Sequence, residues 1–248
     1  AVDYWSKHRF QCGNWWWNEI GIPERMANIL IPAPELFHDS EERRNALAVV
    51  RQTAFGKTGQ NRVWQAEIVL KRALLEQDEP TARHAVAEIT SELQIRNGEG
   101  IQEDGSFHQH GRQLQLGNYG LGFLQSMSYW NSILAGTPLA FPPERTEALR
   151  HLVLNGYRWV IWNGRFDLLA QGRQIGRNSQ TGKAKAALRA IAALQKADPE
   201  SGRLYAEILR QKTPFTGNRH FFNSDYMVHR RPSWYASVRM NSTRTVPV

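Results

Sequence analysis

Two imidazoles, a phenol and a row of amides stand close together in Asp104-Gly-Ser-Phe-His-Gln-His-Gly-Arg-Gln-Leu-Gln-Leu-Gly-Asn-Tyr-Gly120. Imidazole and phenol take and return protons in enzymes, and amides can hold developing charge. On a single helix His110 and Tyr119, nine positions apart, would face opposite sides at about 100° per residue. Gly105, Gly111, Gly117 and Gly120 instead predict an irregular, turn-rich segment, with Gln113 to Leu116 extended, so that both side chains can line one cleft. The bland alternative is a polar loop with a satisfied histidine and a buried tyrosine. Occurrence as a set favours the cleft.

The elements that must position these groups are mainly helical. Apolar residues recur at three and four over 41–52, 61–76, 81–95, 119–135, 144–162, 183–197 and 201–211. Val63, Ala66, Leu70, Ala73 and Leu74 make one such stripe, and Leu149, Leu152, Val153, Gly156 and Val160 another. Start and stop residues separate them: Asp39-Ser40, Asp78-Glu79-Pro80, Gly136-Thr137-Pro138, Pro142-Pro143 and Asp198-Pro199. Short links between helices of similar length imply antiparallel hairpins. After Thr213-Pro214 the period changes to that of a strand, with Trp234, Ala236, Val238 and Met240 alternating against Tyr235, Ser237, Arg239 and Asn241. Such a short β piece is not stable alone, because roughly three strands with an apolar face are needed. It must pack on the helices or belong to a longer protein.

Near the start, Asn14-Trp15-Trp16-Trp17-Asn18-Glu19 precedes Ile20-Gly21-Ile22-Pro23. Three consecutive indoles cannot all face one core, so at least one faces a groove or solvent. An exposed indole covers the C–H face of a pyranose well; a buried one fills a gap between helices.

The 248 residues, 41% hydrophobic, suffice for one large domain or one plus a fragment. A formal charge of +8 points to an acidic partner: polyanionic glycan, nucleic acid or an anionic membrane surface. No run of 18 apolar residues is present, so no membrane span is expected. The single cysteine, Cys12, reads as structural. His108 and His110 have no Cys or carboxylate partners at zinc-ligand spacing. Glu19, Glu99, Glu103, Asp104 and Asp167 are available to a hydrolase but form no pattern of acid plus nucleophile. A non-catalytic helical module that binds acidic polysaccharide or RNA through basic and aromatic residues is the non-enzyme alternative, although no RNA-binding signature occurs.

Gln109-His110-Gly111-x-Gln113-Leu114-Gln115, followed by Tyr119-Gly120, resembles the catalytic loop of the polysaccharide lyase family that includes chondroitin AC, hyaluronate and xanthan lyases, its chondroitin AC branch above all. Three further segments match in order: Thr58-Gly59-Gln60-Asn61, Gly172-Arg173-x-x-Gly176-Arg177, and Asn223-Ser224-Asp225-Tyr226 leading to His229-Arg230-Arg231-Pro232. The resemblance implies a mainly α fold, an incomplete (α/α) toroid of antiparallel helix pairs ending in the first strands of a β-sandwich region. It divides the chain into a catalytic helical domain over 1–214, lacking its first helices, and a truncated β-sandwich domain over 215–248.

In function, the resemblance implies cleavage of a uronic-acid-containing glycosaminoglycan, chondroitin or hyaluronan, by β-elimination. Asn61 and His110 would face the C5 carboxylate, Tyr119 would move the proton, and Arg173 would steady the charge on Tyr119, lowering its pKa from about 10. Trp15, Trp16, Gln109, Arg177 and Asn223 would bind substrate, Trp15 and Trp16 ahead of Trp17. No cofactor is implied, with calcium left open. The expected partner is acidic polysaccharide, not nucleic acid or membrane, and the expected state a secreted or periplasmic monomer.

Overall fold

The computed structural model describes residues 2–32, 40–210 and 215–247. Asp39 and the Thr213-Pro214 boundary lie outside them. The chain divides into two compact units, Ala1–Glu92 and Leu93–Val248.

The first unit is helical: α1 Val2–His8, α2 Ile22–Leu30, α3 Glu41–Val50, α4 Gly59–Glu76 and α5 Glu79–Ser91, with a π-helical turn Trp17–Gly21 leading into α2. Its starts are chemical. Ser40 accepts from the Arg43 N–H at 3.0 Å to cap α3, and Asp78 accepts from the Thr81 N–H at 3.1 Å to cap α5. Gln77 closes α4 in the left-handed region, and the two-residue link to α5, with the close packing of the two helices, makes them an antiparallel hairpin. One core joins Ile20, Leu30, Ala46, Val50 and Ile68. The stripe read in α4 is buried except at its end: Val63, Ala66, Leu70 and Ala73 face in, whereas Leu74 is half exposed.

The second unit holds α6 Tyr119–Leu134, α7 Pro143–Leu152, α8 Arg158–Val160, α9 Ser179–Ala197 and α10 Gly202–Arg210. Two short hairpins accompany them: β1 Gly100–Ile101 with β2 Phe107–His108 before α6, and β3 Ile161–Trp162 with β4 Arg165–Phe166 between α8 and α9. The single helix expected over 144–162 is interrupted. A π turn, Val153–Tyr157, separates α7 from α8, and the chain leaves the helix at Ile161 to enter β3. The apolar stripe hid this break, since Leu149, Leu152, Val153 and Val160 are all fully buried. The π turn is the docking point for the β1–β2 turn. A Cβ on Gly156 would meet the Gly105 carbonyl oxygen at 2.3 Å, and one on Gly105 would meet the Asn155 backbone at 2.5 Å, so only two glycines allow this approach.

Strands β5 Gly217–Phe221, β6 Tyr226–Arg230 and β7 Tyr235–Arg239 form an antiparallel meander. The strand reading of the C-terminal stretch holds, and the apolar set is the outer one: Trp234, Ala236, Val238 and Met240 are exposed, while Tyr235, Ser237 and Arg239 alternate on the less exposed side. Polar anchors decide the phase. The Tyr226 and Tyr235 hydroxyls both donate to Asp167 Oδ2, the first at 2.5 Å, and Arg239 donates to the Leu169 carbonyl at 3.2 Å.

Candidate active site

The segment that carries the imidazoles is a closed turn. Gln115 N–H donates to the Phe107 carbonyl at 2.9 Å and Gln109 N–H to that of Gln113 at 3.2 Å, which folds residues 109–113 over. At the tip His110 has φ 61° and Gly111 φ 75°, a left-handed pair that a non-glycine residue enters at a strain of order 1 kcal/mol. The Gln115 carbonyl then accepts from the Asn118 and Gly120 N–H groups at 3.0 and 2.9 Å and turns the chain into α6, whose first residue is Tyr119. The result brings the His110 and Tyr119 rings to 4.8 Å between centroids, edge to face at 84°.

Arg173 enters from the loop before α9. Its Nη2 donates to Tyr119 Oη at 3.4 Å, and its guanidinium carbon lies 5.6 Å from the Tyr119 ring centroid. Gly117 N–H donates to the Ala170 carbonyl at 2.8 Å and ties that loop to the turn, while the buried Lys183 ammonium of α9 donates to the Gln171 carbonyl at 2.8 Å and ties the loop to its own following helix. Burial pushes the Lys183 pKa down to about 8.

Partial burial, followed by the Arg173 charge, holds the His110 pKa below the usual imidazole range, against the opposing pull of Glu99. The ring is therefore neutral at neutral pH, with one N–H to donate. Glu99 is the residue that sequence reasoning passed over, having counted it only among possible hydrolase carboxylates. Its Oε1 accepts from the Gly111 N–H at 3.0 Å and its Oε2 from Gln109 Nε2 at 2.5 Å, bracing the turn on both sides of His110.

Of the expected site residues, His110, Tyr119 and Arg173 are brought together. Arg177 lies exposed on the same loop as Arg173, and Gln109 is buried with its amide turned to Glu99. Asn223 sits in the β5–β6 turn, its N–H donating to Asp104 Oδ2 at 2.7 Å, and lines a pocket with His108 and Arg112. Asn61, Trp15 and Trp16 belong to the first unit. Asn61 is buried in the first turn of α4, its Oδ1 without a hydrogen-bond partner among the described residues. Trp15 is 42% exposed, with the Lys57 ammonium 4.1 Å from its ring centroid. Trp16 packs edge to face on Trp64, 5.5 Å between centroids, against the core of that unit.

Three of the carboxylates weighed for a hydrolase are engaged elsewhere, and Glu99 braces the turn. Asp104 accepts from Ser106 and Asn223, Asp167 from Tyr226 and Tyr235, and Glu19 pairs with Lys57 at 3.2 Å. Among the described residues no group of three or more His, Cys, Asp and Glu side chains could hold a metal ion.

A mainly helical chain running into antiparallel strands, with an imidazole–phenol–guanidinium centre on an irregular loop, defines a class that comparison with known proteins makes specific. The chain belongs to polysaccharide lyase family 8: residues 1–210 match its N-terminal α-helical domain and residues 216–248 its super-sandwich domain. A chondroitinase-AC from Pedobacter heparinus is 30% identical over 262 residues, covering 99% of this chain and 37% of that protein. A hyaluronate lyase from Thermasporomyces composti is 27% identical, covering 94% of this chain and 36% of that protein. The solved structure of a chondroitinase AC lyase, from work on enzyme–oligosaccharide complexes, superposes with a TM-score of 0.83 at 26% identity, covering 99% of this chain and 38% of that one. The chain thus spans a little over a third of the length of these relatives. The fold class is mainly α, of the incomplete (α/α) toroid kind, ending in antiparallel strands.

Proposed function

We propose that this chain is the catalytic helical region, over 1–214, and the start of the β-sandwich domain, over 215–248, of a lyase that cleaves uronic-acid-containing glycosaminoglycan by β-elimination. Chondroitin or hyaluronan is the substrate, and each cut leaves a 4,5-unsaturated uronate. The observation that carries this reading is the Arg173–Tyr119–His110 cluster. Membership of the family, and relatives named chondroitinase-AC and hyaluronate lyase, support it.

The chemistry needs three things: a C5 carboxylate neutralised so that C5–H becomes acidic, a base for that proton, and an acid for the oxygen leaving C4. His110, kept neutral by burial and Arg173, donates to the carboxylate, and Asn61 assists by donating from its amide Nδ2. Tyr119 takes the C5 proton as phenolate. The C5–H pair becomes the C4–C5 double bond, the C4–O bond breaks, and Tyr119 returns the proton to the bridging oxygen. Arg173, already donating to Tyr119 Oη, balances the phenolate charge between those events. Arg177, Asn223, Trp15 and Trp16 hold neighbouring sugars, and Gln109, buried with its amide on Glu99, serves substrate binding through the turn it braces. The reaction balances without a cofactor, and nucleic acid plays no part in it. No helix among the described residues is long and apolar enough to cross a membrane, and the substrate argues for a secreted or periplasmic enzyme that works as a monomer.

Digestion of chondroitin and hyaluronan, with parallel assays of near-ultraviolet absorbance and reducing ends, tests the reading. Both signals should rise together. Reducing ends without absorbance would mean hydrolysis, and inert glycans with salt-sensitive RNA binding would favour the module.

A further inference from the structure

A pocket of about 240 Å³ opens on the second unit beside β2, several times the roughly 30 Å³ that one water occupies. Asn97, His108, Arg112, Phe222, Asn223 and Arg244 line it. Its floor is unusual. His108 is 1% exposed and shares a hydrogen bond of 2.9 Å between Nε2 and the Ser224 hydroxyl, yet its buried Nδ1 has no partner among the described residues. An orphaned buried nitrogen costs roughly 1–3 kcal/mol, so a site that keeps one is open to a ligand that satisfies it.

The rim is cationic. Arg244 is paired with Asp225, but no hydrogen bond or ion pair of the Arg112 guanidinium is found among the described residues, while its carbonyl is fixed by the Val246 N–H at 3.1 Å. The nearby carboxylates are already committed, Asp225 to Arg244 and Ser242 and Asp104 to Ser106 and Asn223. Phe222, 44% exposed, adds a flat apolar face next to these donors. Donors, one free guanidinium and one ring in a space of this size suit a single anionic sugar.

We propose that this pocket is an accessory subsite for one anionic pyranose of the glycan chain, with Arg112 taking its sulfate or carboxylate, His108 Nδ1 a polar atom of the same unit and Phe222 its apolar face. The inference rests on the glycan-lyase reading above. It assigns roles to His108, Arg112 and Phe222, which stand outside the catalytic cluster.

The test is calorimetric titration of the Tyr119→Phe protein, which should not turn over, with hexasaccharides of chondroitin 4-sulfate, chondroitin 6-sulfate and unsulfated chondroitin. Arg112→Ala in that background should weaken binding about tenfold or more, as expected for loss of a charge-assisted hydrogen bond. A loss confined to the sulfated chains identifies a sulfate ester, and an equal loss on all three identifies the carboxylate. The His108 ring nitrogen resonances should shift on saturation. Unchanged affinity in Arg112→Ala, or unmoved His108 resonances, overturns the subsite even if the wild-type protein cleaves glycan. A protein that neither binds nor cleaves any of them overturns the lyase reading and the subsite with it.

Discussion

Arg173 Nη2 donates to Tyr119 Oη at 3.4 Å across 54 residues of sequence. The contact joins the loop before α9 to the first turn of α6, and it sets a permanent positive charge against the atom that would carry a transient negative one. The same guanidinium also acts on His110.

That second effect is measurable. Because the Arg173 charge helps to depress the His110 pKa and Glu99 opposes it, Arg173→Ala should raise the His110 titration midpoint and Glu99→Gln should lower it. Ring-proton shifts followed against pH report both. Identical midpoints in wild type and Arg173→Ala would show that the guanidinium does not reach the imidazole in solution.

Gly172 has φ 72°, and a methyl group there would stand 2.5 Å from Gln115 Oε1 and 3.0 Å from Asn118 Cβ. Gly172→Ala should therefore cost roughly 1–3 kcal/mol through the strained backbone alone. It should also shift Arg173 away from Tyr119, so that glycan turnover falls further than the change in melting temperature explains. Unchanged turnover would mean that this loop tolerates the displacement.

The two tryptophans selected from sequence should behave differently. Trp16→Ala removes a ring packed on Trp64 and the first-unit core and should cost a few kcal/mol, somewhat below the roughly 3–5 kcal/mol of a full core deletion. Trp15→Ala, exposed beneath Lys57, should leave the melting temperature nearly unchanged and weaken oligosaccharide binding. Equal destabilisation by both would make Trp15 a packing residue.

His108 links pH to stability. Its pKa, ordinarily 6.5, is lowered to about 4, chiefly by burial. Between those values the unfolded chain takes up a proton that the folded chain refuses. Stability should thus be greatest above pH 6.5 and fall as pH drops towards 4, by on the order of 3 kcal/mol in full. Denaturant titrations across that window should show the slope, and His108→Gln should flatten it. An equal slope in the variant would assign the acid lability to other groups.

Helix periodicity made most of the helices legible, because a stripe such as Val63, Ala66, Leu70 and Ala73 has no other use than a buried face. The glycines between Gly105 and Gly120 revealed that His110 and Tyr119 could share a site, since they forbid the straight helix that would part them. What stayed hidden depends on long-range partners. Leu149 to Val160 reads as one helix because the π turn buries the same residues, and only the Gly105–Gly156 approach explains it. The outward phase of Trp234, Val238 and Met240 follows from the bonds of Tyr226 and Tyr235 to Asp167, 59 and 68 residues away in sequence, which no local alternation records. Glu99 gave no signal because a carboxylate that braces a turn resembles any surface acid until its partners are known.

Tyr119→Phe, made in a protein that extends past Val248 and assayed with chondroitin and hyaluronan, tests the central claim most directly. The ring and its packing on His110 remain, so stability and substrate affinity should change little. The phenol acts only as the proton moves, so kcat and kcat/KM should fall together, to below about a hundredth of wild type, with the unsaturated-uronate absorbance nearly abolished. Retention of more than about a tenth of wild-type kcat, a barrier change under about 1.4 kcal/mol, would contradict the account and pass the role of base to His110.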